Sequence, residues 1–168
     1  LKILTHLGRP SENDPVADEF SLAPVAKRLS ELLGKEVKLV KSLDELKASK
    51  SLTMLENIRS FEGEKNNDEE LSKKLGQLGE IFVMDAFGTA HRKQASTYGI
   101  VNFIKEACFG LLIEEEMDAL EKIVLNPAKP LLGIIGGSKI STKINVIESL
   151  TNHCCLLYTS PSPRDSAL

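Results

Sequence analysis

The sequence predicts an α/β fold: a three-layer αβα arrangement around a mainly parallel, Rossmann-like sheet. Three observations carry that reading. Short apolar runs alternate with longer amphipathic stretches along the chain. The runs are apolar on both faces, as strands covered by helices on either side are. Polar segments bearing Gly and Arg follow the strand ends, where open parallel sheets bind ligands.

Lys2 to Thr5 reads as the first strand and gives way to His6-Leu7-Gly8-Arg9-Pro10. Ser21 opens a helix in which Leu22, Val25, Ala26, Leu29, Leu32 and Leu33 recur at helical spacing until Gly34 stops it. Val37 to Val40 is the second strand. Ser42 caps a short helix, with Glu45 at the capping-box position. Leu52 to Leu55 is the third strand. A charged stretch, Glu62 to Glu70, leads into a Leu71, Leu75, Leu78 stripe ended by Gly79. Ile81 to Met84 is the fourth strand, and a small, mixed segment runs on to Phe109. Leu111 to Leu125 reads as a long helix with Leu112, Met117, Leu120, Ile123 and Val124 inward. Leu131 to Ile135 is the fifth strand, followed by Gly136-Gly137-Ser138-Lys139 and a helix from about Ser141 to Leu150.

Thr151 to Leu168 breaks this logic. Ser160-Pro161-Ser162-Pro163 cannot extend a helix, and no apolar period follows. The stretch reads as a flexible tail or, the reading favoured here, as translated adaptor sequence, and it is set apart from the fold.

Composition bounds the function. With 168 residues, 42% hydrophobic and 27% charged, the chain is globular rather than disordered. Its formal charge of −3 argues against a generally basic nucleic-acid binder. No run of 18 apolar residues marks a membrane span. The three cysteines, Cys108, Cys154 and Cys155, supply neither a disulfide framework nor a paired zinc spacing, which suits a reducing cytosol. The start, Leu1-Lys2-Ile3-Leu4, has neither a signal-peptide layout nor an initiator Met, so the chain reads as cut there. Trp is absent, so an aliphatic core is expected.

Arginine placement is the informative feature. The chain has five Arg, and Arg9, Arg59 and Arg92 all follow strand ends. His6 and His91 sit beside two of them. Cations gathered on one rim point to an anion, and the guanidinium fork suits phosphate or carboxylate. Each residue also has a plainer reading. Arg9 and Arg59 are as readily paired with a nearby Glu, such as Glu56, and His91 alone more often fills a polar gap. The Gly136-Gly137-Ser138-Lys139 turn is neither a Walker A loop nor G-x-G-x-x-G. It still allows close backbone approach to a phosphate, with Lys139 adding charge, and Lys143 is placed four residues on, on the same helical face. A solvated helix face is the plainer reading of that lysine pair, although lysines in a first turn oppose the macrodipole. No Cys/His metal cluster and no nucleophile elbow is visible.

Four segments taken together resemble the phosphoglycerate kinase family, in that family's order. They are His6-Leu7-Gly8-Arg9-Pro10, Leu55-Glu56-Asn57-Ile58-Arg59, Asp85 to Arg92 (Asp-Ala-Phe-Gly-Thr-Ala-His-Arg) and Gly136-Gly137-Ser138-Lys139-Ile140-Ser141-Thr142-Lys143. Ser21-Leu22-Ala23-Pro24-Val25-Ala26 is also similar to the family's first long helix. The resemblance covers about Lys2 to Leu150. It implies a cytoplasmic, usually monomeric glycolytic phosphotransferase that uses a carboxyl group as acceptor. That enzyme moves a phosphoryl group between 1,3-bisphosphoglycerate and Mg2+-ADP, giving 3-phosphoglycerate and ATP. By the resemblance His6, Gly8, Arg9, Arg59, His91 and Arg92 bind the glycerate substrate, and Gly137, Ser138, Lys139 and Lys143 bind the nucleotide. Arg9, Lys139 and Lys143 take catalytic roles. No nucleic acid or membrane partner is implied.

The resemblance also implies a piece of a longer enzyme, inactive alone. Residues 1–110 would be a partial substrate domain whose first strand lies before Leu1. Residues 111–128 would be an interdomain hinge helix, and 129–150 the start of the nucleotide domain. Residues 151–168 would be a non-native or disordered tail. The family's carboxylate for Mg2+-nucleotide would lie after Leu150. Ser60 departs from the Phe typical of the family after the motif Arg. The alternative is a non-catalytic phosphate- or anion-binding αβα domain.

Overall fold

A computed structural model describes residues 1–125, 127–136 and 143–159. The chain divides into two compact units, Leu1–Ile113 and Glu114–Leu168.

In the first unit β1 (Lys2–Ile3), β2 (Lys38–Val40) and β3 (Thr53–Leu55) form a parallel sheet in the order β1-β3-β2. Thr53 lies opposite both Lys2 and Lys38, so β3 is the central strand, and all three of its side chains are buried. A second parallel pair joins β4 (Ile81–Met84) to β5 (Glu106–Phe109), with Ile81 opposite Glu106. The helices of this unit are α1 (Ala23–Leu33), α2 (Leu43–Ala48), α3 (Glu69–Gly76) and the single turn α4 (Phe87–Ala90). Helix α5 (Leu111–Val124) runs across the division between the units. In the second unit β6 (Leu132–Ile135), α6 (Ile144–Thr151) and β7 (Leu156–Thr159) make a βαβ unit whose strands pair in parallel. The fold is thus α/β with parallel strands and alternating helices. The described strands pair in three groups rather than one continuous sheet.

Local chemistry explains the element ends. Gly34 closes α1 in the left-handed region at φ 61°, and its N–H and that of Lys35 satisfy the last carbonyls. Ser42 Oγ accepts from Glu45 N–H at 3.2 Å, as the capping-box spacing predicts. Glu45 reaches back to the N–H of Lys41 rather than that of Ser42. The core is aliphatic. One cluster joins Val40, Leu46, Leu55, Ile58, Leu71, Leu75, Ala95 and Ile100. The other joins Leu22, Ala26, Val37 and Met54 under α1.

Several sequence expectations are corrected. β5 was not expected, because Glu106-Ala107-Cys108-Phe109 has no apolar period and all four residues are exposed. Residues 156–159, set apart as tail, form β7; the apolar Leu156-Leu157-Tyr158 run pairs with β6 even though no helix-compatible pattern follows it. Helix α6 begins at Ile144, after Lys143, instead of near Ser141. The α1 stripe is narrower than its spacing implies: Leu22 and Ala26 are buried, while Val25, Leu32 and Leu33 are exposed. In α5 only Ile113 is buried, and Leu112, Met117, Leu120, Ile123 and Val124 are exposed. Ile81 and Val83 present one uncovered face of β4, so that strand is not covered on both faces among the described residues. No described helix is long and apolar enough to cross a membrane.

Leu46 is fully buried and Leu32 is 66% exposed, which gives a stability test of this packing. Leu46→Ala is expected to cost about 2–5 kcal/mol by transfer and cavity terms. Leu32→Ala is expected to stay within about 0.5 kcal/mol. Urea unfolding midpoints of the two variants against the parent chain check both.

Candidate anion-binding site

The segment after β3 is built by buried polar groups. Glu56 accepts the Leu22 N–H at 2.7 Å and the Ser21 hydroxyl at 3.0 Å, which ties the start of α1 to the strand end. Its carboxylate is committed there, so the Arg59–Glu56 ion pair considered from sequence is not formed. Asn57 is fully buried, and its amide donates to the carbonyls of Leu7 at 2.7 Å and Phe20 at 2.9 Å. Its side-chain oxygen accepts the Arg59 N–H at 3.3 Å. One amide therefore holds the loop after β1, the residue before Ser21 and the turn bearing Arg59. A buried amide left without such partners would cost about 1–3 kcal/mol.

Arg59 itself is 7% exposed. Its Nη1 donates to the carbonyl of Gly8 at 2.8 Å. Gly8 has φ 61°, and a Cβ there would lie 2.6 Å from the Phe20 ring, so both backbone and space demand glycine. His6 is half-buried beside it, and Arg9 is exposed. From the other sheet, α4 is followed by exposed His91 and half-buried Arg92, whose N–H donates to Thr89 carbonyl at 2.9 Å. Asp85, at the end of β4, accepts the Ile113 N–H at 3.0 Å and so caps α5 instead of facing the cations.

The cations perturb one another. Burial first, then Arg59 and Arg92, lowers the pKa of His6. Burial, then Arg92 and Arg9, lowers that of Arg59, with Glu64 acting in the opposite sense. His6, Arg9, Arg59 and Arg92 are thus gathered from three strand ends. Among the described residues, none of the three arginines has a carboxylate within 4.0 Å. Such an arrangement attracts a multiply charged anion and offers it several donors. A cleft of about 1170 Å³ lies elsewhere in the first unit; Glu12, Asp14, Asp18, Glu62, Asp68 and Glu70 line it, and none of the clustered cations does.

In the second unit Lys143 stands just before α6 and its Nζ donates to the Gly136 carbonyl. Gly137, Ser138 and Lys139 lie outside the described residues. Sequence reasoning missed two residues of the first unit, Glu64 and Ser96. Glu64 is buried within the charged stretch Glu62 to Glu70, and it accepts both the N–H and the hydroxyl of Ser96. No periodicity or spacing singles it out.

These surroundings give a signed pH dependence. His6 titrates below its ordinary value of about 6.5. The unfolded chain therefore takes up its proton first, and stability falls as pH drops from about 6.5 through the folded-state pKa. Burial raises the Glu64 pKa, so acidification through its folded-state range relieves a cost and works the other way. An anion that offsets Arg59 and Arg92 raises the His6 pKa, so sulfate is expected to bind more tightly as pH falls through the His6 range. NMR titration of the His6 imidazole with and without sulfate checks this; an unchanged His6 titration contradicts it.

Comparisons with known proteins bear on the family of the chain. Residues 1–159 match the family model described as phosphoglycerate kinase. The chain is 52% identical over 149 residues to the phosphoglycerate kinase of Desulfovibrio desulfuricans, covering 88% of this chain and 38% of that protein. It is 50% identical over 151 residues to that of Francisella tularensis subsp. novicida, with the same coverage. The solved phosphoglycerate kinase of Coxiella burnetii matches with a TM-score of 0.81 and 46% identity over 95% of this chain and 41% of that one. That of Pyrococcus horikoshii matches with a TM-score of 0.76 and 30% identity, covering 95% and 42%. The chain spans about 38% of the length of the curated relatives it matches. On the extent of the family match and the identity of these relatives, the chain belongs to the phosphoglycerate kinase family.

Proposed function

We propose that the chain serves reversible phosphoryl transfer between 1,3-bisphosphoglycerate and ADP, giving 3-phosphoglycerate and ATP in glycolysis. The gathered His6, Arg9, Arg59 and Arg92 are the observation that carries the reading. 3-Phosphoglycerate brings a phosphate and a carboxylate, and an anchored guanidinium binds either with paired hydrogen bonds. Arg59 is held by Gly8 and Asn57 before any ligand arrives, so little ordering is required on binding. Gly8 acts through its backbone, and His91 completes the rim next to Arg92.

Phosphoryl transfer needs positioning and charge stabilisation more than covalent chemistry from the protein. In this reading Arg9, Lys139 and Lys143 hold charge that develops on the transferring group, without reorganisation at the moment of transfer. Gly137, Ser138, Lys139 and Lys143 serve the nucleotide phosphates. When bound, Mg2+ would supply charge neutralisation for those phosphates. By the resemblance, the reading assigns the metal ligands to other parts of the family's longer chain. With it go residues 1–110 as substrate domain, 111–128 as hinge helix and 129–150 as the start of the nucleotide domain, in a cytoplasmic monomer.

The test is 3-phosphoglycerate binding to this chain, followed by calorimetry and by amide shifts. Saturable binding centred on His6, Arg59 and Arg92 is expected. Arg92→Met is expected to weaken it by about 1.5–3 kcal/mol, the range for a hydrogen bond to a charged group. Binding that is absent, or unchanged in Arg92→Met, contradicts the assignment.

A further inference from the structure

We propose that Glu64 is a positioning residue for the anion site, clamping through Ser96 the segment that carries Arg92 onto the turn that carries Arg59. The identity of the ligand rests on the function proposed above; the clamp does not.

Glu64 is 1% exposed, although its neighbours Glu62, Lys65 and Asn66 are exposed. Its carboxylate oxygens are taken by one residue 32 positions away: the Ser96 N–H donates at 3.0 Å and the Ser96 hydroxyl at 2.5 Å. The Glu64 carbonyl accepts the N–H of Ala95, itself fully buried, at 3.0 Å. Three bonds thus join two consecutive residues of one segment to a single residue of the other.

The bonds on either side carry this link to the cations. On one side, Phe61 N–H donates to the Ile58 carbonyl and Glu64 N–H to the Phe61 carbonyl, so a run of tight turns connects Arg59 to Glu64. On the other, Thr97 Oγ1 donates to the Arg92 carbonyl at 2.7 Å and Gln94 N–H to the same oxygen at 3.1 Å. Arg92 is therefore fixed by the short turn that Ser96 anchors. The charged groups acting on Glu64 are Arg59, which favours its ionised form, and Glu12, which opposes it; Lys65 lies 3.7 Å from Glu12. A carboxylate also partly offsets the crowding of Arg59 by Arg92 and Arg9.

Charge and position make opposite demands, which makes the idea testable. Removing a negative charge near a cation cluster strengthens anion binding. Losing the clamp weakens it, because Arg92 is no longer held. 3-Phosphoglycerate affinity and amide exchange over residues 92–97 are measured in the chain and in Glu64→Ala, Glu64→Gln, Arg92→Met and the Glu64→Ala/Arg92→Met double variant. Glu64→Ala is expected to lose affinity by roughly tenfold, on the scale of a charged-group hydrogen bond. Glu64→Gln keeps an acceptor for Ser96 N–H and is expected to bind as the parent does or more tightly. In the Arg92→Met background Glu64→Ala is expected to add little, since its effect runs through Arg92. Parent-like or tighter binding by Glu64→Ala, a fully additive double variant, or equal loss in Glu64→Gln overturns the proposal. If the parent chain binds no 3-phosphoglycerate, the ligand assignment fails and exchange alone decides. Faster exchange at 92–97 in Glu64→Ala but not in Glu64→Gln supports the clamp, and unchanged exchange in both overturns it.

Discussion

The first unit is organised around the cost of keeping Arg59 under the surface with Arg92, Arg9 and His6 beside it and, among the described residues, no carboxylate within 4.0 Å. A buried cation needs hydrogen-bond acceptors, and like charges nearby raise the penalty. The chain meets this with the Gly8 carbonyl on the guanidinium, while Asn57 fixes the turn by accepting the Arg59 backbone N–H. Glu56, which is available in sequence as a counterion, is spent on the start of α1. The unbalanced charge that results is what an anionic ligand would relieve. A stretch optimised for stability alone would pair these groups; here, among the described residues, none of the three arginines has a carboxylate within 4.0 Å.

The elements that hold the cations are drawn from separated parts of the chain. β1 supplies the loop with His6, Gly8 and Arg9, β3 the turn with Arg59, and β4 with α4 the segment with Arg92. Parallel strands make this possible, because each carries its carboxyl end to the same side of its sheet. The core beneath is aliphatic and continuous from Val40 through Leu55 to Ile100, so the strand ends rest on packed side chains.

Much of this was legible in sequence because periodicity and placement report directly on burial and on strand ends. The runs Val37 to Val40, Leu52 to Leu55 and Ile81 to Met84 mark real strands, and Arg9, Arg59 and Arg92 stand out because each follows a strand end; the lysines give no such signal, since only Lys27, Lys47, Lys73, Lys74 and Lys122 of those described lie in helices. What was not legible has particular causes. Glu106–Phe109 is a strand through backbone pairing with β4, with no apolar alternation to announce it. The stripes of α1 and α5 have helical spacing, but spacing shows a face without showing what covers it, and Leu32 and Met117 remain exposed. Glu64 is hidden because its partner Ser96 is 32 residues away, and a buried carboxylate inside a charged run has the composition of a solvated one. Gly137, Ser138 and Lys139 lie outside the described residues, so the nucleotide side rests on the resemblance alone.

In the proposed function the cation cluster is preformed for an anion. A crystal structure of this chain soaked with 3-phosphoglycerate measures it most directly. The phosphate or carboxylate is expected to lie against Arg59 and Arg92, with His6 and Arg9 at its edge and the Arg59–Gly8 hydrogen bond retained. A ligand seated away from these residues, or arginines found paired with carboxylates in the absence of ligand, would contradict it.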